Sequence, residues 1–214
     1  MVQFRIARSV DDKNGAIKLV NEMYSRYGYV DLESGQDSKI STFLAEEGTV
    51  TMLAEHDSEI AGTISVVPDS EHGLPMDIIY YDELAPYRIA HKKILEVCQF
   101  AVNKKVFEEL EANKQGKNIE REVSVGLIGL CIHYALQHSY DFVCFTINPK
   151  HRSFYESFGC ARIGEEKEYP SVSNAPALAY ALDIHELTNG ARHHFLTTKI
   201  LQTPPPPNFF HQSS

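Results

Sequence analysis

The pattern of apolar and polar positions divides the first part of the chain into alternating strands and helices. Strict alternation is typical of a half-buried strand, whereas apolar residues three or four positions apart are typical of an amphipathic helix. Ser9, followed by two aspartates, marks a helix start. These patterns predict a strand over Phe4–Ser9, helices from Asp11 to near Gly28 and over Ile40–Glu46, and a hairpin of strands Thr49–Glu55 and Ile60–Val67.

The second part of the chain predicts a similar alternation after a long surface segment. Residues Gly73–Lys93 mix prolines and tyrosines, so we expect a surface excursion with a short helix near its end. Beyond it we predict strand Ile94–Val102, a helix within Asn103–Arg121 with a loop at Lys114–Asn118, helix Val123–His138, strand Phe142–Ile147, a helix from Pro149 to about Phe158, and strands Arg162–Lys167 and Ala177–Ile184. This order indicates an α/β (α+β) fold with a mixed sheet.

Length and composition predict one domain followed by a tail. The chain has 214 residues, 43% of them hydrophobic and 23% charged, which is ordinary for a globular domain with a buried core. We place this domain at residues 1–190. Residues 191–214 contain four consecutive prolines and end in polar residues, so we expect an extended, mobile C-terminal tail.

Composition also narrows the classes of function. No apolar run reaches the roughly 18 residues of a membrane-spanning helix, and we find no signal-peptide pattern, so we expect a cytoplasmic protein without a membrane span. The net charge of −9 disfavours general nucleic-acid binding. The four cysteines and ten histidines lack metal-ligand spacing, which predicts reduced cysteines and no metal site.

Two basic clusters interrupt this acidic composition. Each is either a solvated face or a docking surface for a phosphate-bearing or acidic partner. The first cluster is Arg88, His91, Lys92 and Lys93, and the second is Lys104, Lys105, Lys114, Lys117 and Arg121.

The most specific local motif runs from Asn148 to Cys160, between two predicted strands. It resembles the corresponding segment of GNAT-superfamily acyltransferases, which carry an Asn, an aromatic–Tyr pair and Gly-Phe at the same spacing. Asn148, Phe154, Tyr155 and Gly159 match this pattern, while Cys160 replaces the usual Phe. The order of predicted elements agrees with that superfamily from Phe4 to Asp183.

This resemblance implies a central mixed sheet of about six or seven strands with helices on both faces. It also implies that the fourth and fifth strands, Ile94–Val102 and Phe142–Ile147, splay apart and admit a pantetheine thioester. The backbone of Phe100, Ala101 and Val102 would then pair with the pantetheine amides as an added strand does. Tyr155 would lie beside the sulfur.

Acyl transfer to an amine needs a proton acceptor and a donor for the leaving thiolate. Glu96 lies on the fourth strand, where many GNAT enzymes carry a carboxylate base, and its apolar neighbours predict a raised pKa. The alternative is a structural ion pair with Arg88 or Lys93. Tyr155 suits the donor role, the alternative being a packed aromatic side chain.

The phosphate-binding loop of the superfamily corresponds here to Arg121–Gly126. Ser124 replaces its first glycine but can cap the helix that follows, and the helix N-terminus can present N–H groups to a phosphate. Gly126 and Gly129 are also explained by close helix–strand packing. The predicted donor-binding residues are therefore Phe100, Ala101, Val102, Arg121, Ser124, Val125, Gly126 and Asn148, with no metal.

Three further stretches resemble the FeeM-type long-chain N-acyl amino acid synthases, which are related in fold to LuxI-type autoinducer synthases. They are Tyr24–Val30, then Leu74–Asp77 with Arg88 and Leu95–Val102, and finally Asn148–His151 with Tyr169-Pro170 and Ala175–Ala177. In that branch the donor is typically a fatty acyl chain on acyl carrier protein and the acceptor is an amino acid. Gln99 stands where the branch has an Arg. The predicted substrate-binding residues are Tyr24, Arg26, Tyr29, Arg88 and Gln99.

Three functions remain open at this point. The first is an N-acyltransferase that uses a long-chain acyl thioester, on acyl carrier protein or coenzyme A, and a small-molecule amine. The second is an acetyl-CoA-dependent N-acetyltransferase, and the third is a non-catalytic ligand-binding module. The altered phosphate loop favours the first over the second, and the presence of Glu96 and Tyr155 favours an enzyme. The sequence does not specify an oligomeric state.

Overall fold

Strands and helices alternate along the chain in largely the predicted order. The computed structural model describes residues 1–29, 48–111, 115–189 and 195–210. Its elements are β1 (Val2–Ile6), α1 (Val10–Arg26), β2 (Val50–His56), β3 (Glu59–Pro68), α2 (Asp77–Ile89), β4 (Ile94–Val102), α3 (Lys104–Glu111), α4 (Gln115–Gln137), β5 (Phe142–Ile147), α5 (Arg152–Ser157), β6 (Ala161–Arg162), β7 (Lys167–Tyr169), β8 (Ala175–Asp183), α6 (Ile184–Thr188) and α7 (Phe195–Gln202). The helix predicted over residues 40–46 lies outside the described residues.

Eight strands form one sheet in the order β1-β2-β3-β4-β5-β8-β6, with β7 also paired to β8. The pair β4–β5 is parallel, and every other pair among the described strands is antiparallel. Because β4 and β5 point the same way, the long α3–α4 segment connects them as a crossover. The predicted mixed sheet is confirmed, with eight strands instead of six or seven.

Helices cover both faces of this sheet, as predicted. On one face, Leu19 and Met23 of α1 pack against Ala101 of β4. On the opposite face, α4 lies against the sheet so closely that a Cβ on Gly62 would meet Val123 at 2.7 Å. This close contact leaves no room for a side chain at Gly62. The sheet, packed between helices, supports the residues at its strand ends.

Three elements differ most from their predicted bounds, and β1 also ends at Ile6 instead of Ser9. The helix α2 spans 13 residues, interrupted at Tyr80 by non-helical backbone angles, where only a short helix was expected. The helix α4 begins at Gln115, eight residues before the predicted start at Val123, because the charged residues of this segment are good helix formers. The predicted strand over 162–167 is wrong: the short strands β6 and β7 flank its ends.

The C-terminal segment packs on the domain where an extended tail was expected. Ile200 of α7 is buried, and its carbonyl oxygen lies 2.9 Å from Nε2 of His133 on α4. Beyond the prolines, Phe209 is buried and the ring of Phe210 stacks edge-on against Tyr134. Apolar burial of these rings outweighs the polar composition of the segment.

Candidate active site

The strands β4 and β5 part after a short paired stretch. They pair only at Ile94 with Phe142, Leu95 with Val143 and Glu96 with Cys144. Beyond these pairs β4 runs on to Val102 and β5 to Ile147 without contacting one another as neighbouring strands. The predicted splay is therefore present, and it opens towards the carboxyl ends of both strands.

A bulge in β4 accompanies the splay. Ser65 of β3 pairs with Cys98 and Thr63 pairs with Ala101, so two residues of β4, Gln99 and Phe100, face the single residue between them. Gln99 has a φ of 53°, in the left-handed region where few residues other than glycine lie. Such bulges bend a strand and re-aim its side chains. Nothing in the sequence around Gln99 indicated this bulge.

A cavity of about 810 Å³ fills the gap between the two strands. Its walls come from α1, β4, α4, β5, α5 and the β7–β8 region, and they are mostly apolar. The residues predicted from the sequence that line it are Tyr24, Tyr29, Glu96, Gln99, Phe100, Ala101, Val102, Arg121, Ser124, Val125, Asn148 and Tyr155. The tertiary structure thus brings together residues from five separate segments.

Glu96 lies at the paired end of the cavity and is 1% exposed. Its Oε2 accepts a hydrogen bond of 2.8 Å from the backbone N–H of Met76. Burial raises the pKa of Glu96 from its ordinary 4.5 to about 8; the Met76 hydrogen bond opposes this shift, whereas the charges of Asp77 and Asp69 add to it. A carboxylate with such a pKa exchanges protons near neutral pH, as a general base must.

The cations considered from the sequence as partners of Glu96 pair elsewhere. Arg88 binds Asp69 and Asp77, and Lys93 Nζ donates to the carbonyl oxygen of His138 at 2.6 Å. The structural ion pair that was the alternative for Glu96 is therefore not formed with either residue.

Three tyrosines converge on the same region of the cavity. Tyr155 packs its ring 4.9 Å from that of Phe145 on β5, and burial raises the pKa of Tyr155 to about 12, so its phenol stays protonated at neutral pH. Burial also raises the pKa of Tyr24, to which the neighbouring Tyr155 and Glu96 both contribute. Tyr169 donates to the carbonyl oxygen of Pro75 at 3.0 Å.

The mouth of the cavity carries positive charge. Lys104 begins α3 two residues after the end of β4, and Lys150 lies three residues after the end of β5, so both lysines lie close to the ends of the two strands that part. The Nζ atoms lie 5.4 Å and 4.9 Å from the centre of the same Tyr27 ring. A hydrogen bond with Tyr27 raises the pKa of Lys104, whereas burial and both lysines lower the pKa of His151. The mouth therefore holds two cations beside a neutral imidazole.

Three of the predicted residues lie away from the cavity wall. Arg26 forms an exposed ion pair of 2.8 Å with Glu108 on α3. Arg88 is held by two aspartates behind Glu96. Gly126 packs against β1, since a Cβ at this position would lie 2.1 Å from the Phe4 ring. Gly126 thus fits the packing alternative given in the sequence analysis.

The expected phosphate loop is not a loop. Residues 121–126 lie inside α4, beyond its first turn, where backbone N–H groups bond to carbonyl oxygens four residues earlier. Ser124 is therefore not an N-cap, and these N–H groups do not face a ligand. Arg121, Ser124 and Val125 reach the cavity with their side chains instead.

Asn148 stabilises the end of β5. Its Oδ1 accepts from the Lys150 backbone N–H at 3.2 Å and caps the 3₁₀ turn Pro149–His151, while Nδ2 donates to the carbonyl oxygen of Pro176. The turn aims Lys150 at the cavity mouth. Lys150 and Tyr169 also line the cavity, although neither was predicted from the sequence as a site residue; Lys150 lies within the motif that runs from Asn148 to Cys160.

Within the described residues, no group of three or more His, Cys, Asp or Glu side chains is placed to hold a metal ion. Among the helices described, none is both long enough and apolar enough to cross a membrane.

The comparisons with known proteins agree with this geometry. The family model of the N-acyl amino acid synthase FeeM matches residues 15–183. The structure of FeeM, an N-acyl amino acid synthase from uncultured soil microbes, has a TM-score of 0.75 and 33% identity, covering 87% of this chain and 93% of that one. The comparison with curated proteins returned no match.

More distant structures share the fold alone. Escherichia coli ElaA has a TM-score of 0.55 at 15% identity, covering 86% of this chain and 100% of that one. An acyl-CoA N-acyltransferase from Pseudomonas aeruginosa has a TM-score of 0.53 at 10% identity, covering 85% and 97%. With the model match and the FeeM structure, these findings show that the chain is an acyltransferase of the GNAT fold and belongs to the FeeM family of N-acyl amino acid synthases.

Proposed function

We propose that this enzyme transfers a long-chain fatty acyl group from the pantetheine thioester of an acyl carrier protein to the amine of an amino acid. The observation that carries the proposal is the large apolar cavity between the parted strands, with the buried Glu96 at its paired end. The names of the family and of the FeeM structure support an amino acid as acceptor.

The reaction follows from the groups in the cavity. Glu96 accepts a proton from the attacking amine, the new C–N bond forms, and the carbonyl oxygen gains negative charge. We infer that a backbone N–H at the β4 bulge stabilises that oxyanion, because the bulge interrupts the regular pairing of β4 with β3. As the C–S bond breaks, Tyr155 donates its proton to the leaving thiolate, giving amide and thiol. The proton held by Glu96 is then released to solvent and the Tyr155 phenolate takes one up, which restores both groups.

The donor arm enters from the open end of the splay. The part of β4 from Val97 to Val102 is about 17 Å long, which is the length scale of an extended phosphopantetheine arm. An arm with its thioester near Glu96 therefore has its phosphate near Lys104 and Lys150. The helical residues 121–126 offer no N–H cradle for a pyrophosphate, so a carrier-bound single phosphate fits better than coenzyme A.

The size and polarity of the cavity support a long acyl chain. Apolar residues of α4 and β5, among them Ile128, Ile132 and Phe145, line it. Each methylene that is buried adds about 0.8 kcal/mol of binding free energy. An acetyl group would leave most of this apolar wall in contact with water, so the second candidate, an acetyltransferase, fits the cavity less well.

The FeeM-type synthases carry an Arg in the acceptor site at the position where this chain has Gln99. Gln99 is 6% exposed and cannot pair with a carboxylate in two bonds as Arg does. We therefore expect an amino acid whose own side chain, more than its carboxylate, determines selection. The cytoplasmic location indicated by the sequence stays a prediction.

A direct assay tests the proposed function. The purified enzyme is incubated with acetyl-, octanoyl- and palmitoyl-carrier protein, with the matching coenzyme A thioesters, and with a mixture of the twenty amino acids. Mass spectrometry of the products should find fatty N-acyl amino acids, formed fastest from the long-chain carrier donors. N-acetylated products alone, or faster reaction from coenzyme A, would overturn the proposed donor.

Tyr155→Phe tests the proton donor. We expect kcat to fall by about 10²-fold or less, because the phenol is lost while the ring packing against Phe145 stays. The melting temperature should be unchanged. A donor with a more acidic leaving thiol should recover part of the loss, and an equal loss for both donors would contradict the assigned role.

Lys104→Ala combined with Lys150→Ala tests the phosphate contact at the mouth. We expect KM for the acyl carrier protein to rise about tenfold or more, because two charge-assisted contacts are removed. The wild-type KM should also rise with salt concentration, and that of the double variant should rise less.

The control for this pair is Lys105→Ala, because Lys105 pairs with Glu22 and lies off the cavity wall. Acyl-pantetheine, which lacks the phosphate, should be used equally well by wild type and double variant. A loss that persists with acyl-pantetheine would show that the lysines do not act through the phosphate.

A further inference from the structure

Arg88 is the centre of a charge network behind the proposed base. Its Nε and Nη2 donate to the two carboxylate oxygens of Asp69 at 2.8 and 2.7 Å, and its Nη1 and Nη2 donate to those of Asp77 at 2.8 and 2.7 Å. The guanidinium therefore joins two aspartates in a planar, double bidentate arrangement, which only arginine can make.

Each aspartate is tied to a different part of the site. The backbone N–H of Asp69 donates to the carbonyl oxygen of Ile94 at 3.1 Å, at the start of β4 and two residues before Glu96. Asp77 Oδ2 accepts from the backbone N–H of Leu74 at 2.6 Å. Through these two aspartates, Arg88 links the segment before α2 to the first residues of β4.

The segment before α2 that Arg88 links to β4 also contacts the proposed base, Glu96. Residues Gly73–Asp77 form a tight turn in which Gly73 has a φ of +75° and a Cβ would lie 2.5 Å from Asp77 Oδ2. Within this turn, Met76 donates its N–H to Glu96 Oε2 at 2.8 Å and Pro75 accepts the hydroxyl of Tyr169. Any displacement of the turn therefore moves the hydrogen-bond donor that orients the Glu96 carboxylate.

We propose that Arg88 is a positioning residue, which acts through Asp77 and the Gly73–Asp77 turn to hold the Glu96 carboxylate in its reactive orientation. The inference rests on the proposed role of Glu96 as base. It replaces the substrate-binding role that the sequence suggested for Arg88, because Arg88 lies outside the cavity wall and makes four hydrogen bonds to Asp69 and Asp77.

The same network sets the charge behind Glu96. Two aspartates and one arginine leave one net negative charge there, and both aspartates raise the pKa of Glu96. The titratable and charged groups that face Glu96 from the surrounding elements are Tyr24 of α1, Asp69, Asp77 and Arg88, Cys98 of β4, Cys144 of β5 and Tyr169 of β7. Removing the charge of Arg88 makes the surroundings of Glu96 more negative, and removing the charge of one aspartate makes them less negative.

Two substitutions with opposite effects test the proposal, with palmitoyl-carrier protein and an amino acid as substrates. Arg88→Met should lower kcat about 10- to 100-fold, leave both KM values nearly unchanged and move the midpoint of the pH–rate profile to higher pH. Asp77→Asn should move the midpoint to lower pH. Arg88→Lys keeps the charge without the bidentate geometry, so it should keep the wild-type midpoint and restore part of kcat.

Arg5→Met is the matched control, because Arg5 also joins two carboxylates, Asp12 and Glu55, at 2.7 Å, and it lies on the edge strand β1, away from β4. It should lower stability without moving the midpoint. The pH at which Glu96 is half-protonated is also measured without an activity assay, from the pH dependence of the free energy of unfolding.

If Arg88→Met has a raised KM and a normal kcat, Arg88 binds substrate and does not position Glu96. Equal effects of Arg88→Met and Arg5→Met, or an unmoved midpoint, would overturn the positioning role. If Arg88→Met fails to fold, Asp77→Asn and Arg88→Lys still test the proposal: Asp77→Asn should move the midpoint below the wild-type value, and an unmoved midpoint together with full kcat in Arg88→Lys would overturn it. Should Glu96→Gln keep its activity, the proposed base fails; should it lose activity while Arg88→Met keeps kcat, the positioning inference alone fails.

Discussion

Replacing Glu96 by glutamine is expected to slow acyl transfer by about 10²- to 10⁴-fold, the range that a general base contributes. Glutamine has the same shape and can still accept the hydrogen bond from Met76, so the turn stays in place. The measurement is kcat/KM from pH 5 to 10. The wild-type rate should rise through a pH of about 8, as Glu96 loses its proton, and the residual rate of the variant should lack this step.

The same substitution changes how stability depends on pH. The pKa of Glu96 is raised in the folded state, so this group stabilises the fold fully below its ordinary pKa of 4.5, and the contribution is lost as pH rises to about 8. The wild-type free energy of unfolding should therefore fall between these values by up to about 1.4 kcal/mol per pH unit from this group. Glu96→Gln should remove that slope in urea titrations.

Glu55→Gln serves as the control, because Glu55 lies on β2 and pairs with Arg5 away from the cavity. It should keep both the activity and the step near pH 8. Activity of Glu96→Gln within a few-fold of wild type would mean that another group accepts the proton. A rate step that persists in the variant would lead to the same conclusion.

Replacing Gly126 by alanine is expected to lower the free energy of unfolding by about 1–2 kcal/mol. Alanine is about 1 kcal/mol better than glycine inside a helix, but the added methyl would lie 2.1 Å from Cζ of Phe4. Overpacking of this kind costs about 1–3 kcal/mol or more, so the loss outweighs the gain. The measurement is urea unfolding, together with KM for the acyl donor, which should not change.

Gly129→Ala is the matched control on the same helix. Its added methyl would meet Ile200 at 3.4 Å, an ordinary contact, so we expect it to stabilise the protein by up to about 1 kcal/mol. Adding Phe4→Ala to Gly126→Ala should cost less than the sum of the two single changes, because the smaller side chain makes room. If Gly126→Ala raises KM at unchanged stability, Gly126 contacts the donor after all.

The sequence by itself determined the type and order of most elements and the family. Strands such as Ile94–Val102 and Phe142–Ile147 lie where their apolar runs predicted them, because periodicity is a local property that burial imposes on each element. The motif from Asn148 to Gly159 located Tyr155, and the position of Glu96 on the fourth strand located the candidate base. Both residues line the cavity.

Only the tertiary structure decided what surrounds those residues. The partners of Arg88, the packing of Gly126 on Phe4 and the meeting of Lys104 with Lys150 at Tyr27 join segments far apart in the chain. The early start of α4 removed the expected phosphate loop, because its charged residues suit a helix as well as a loop. Contacts between distant segments leave no periodic pattern in the sequence, so charge pairing and close packing become visible only when the chain is folded.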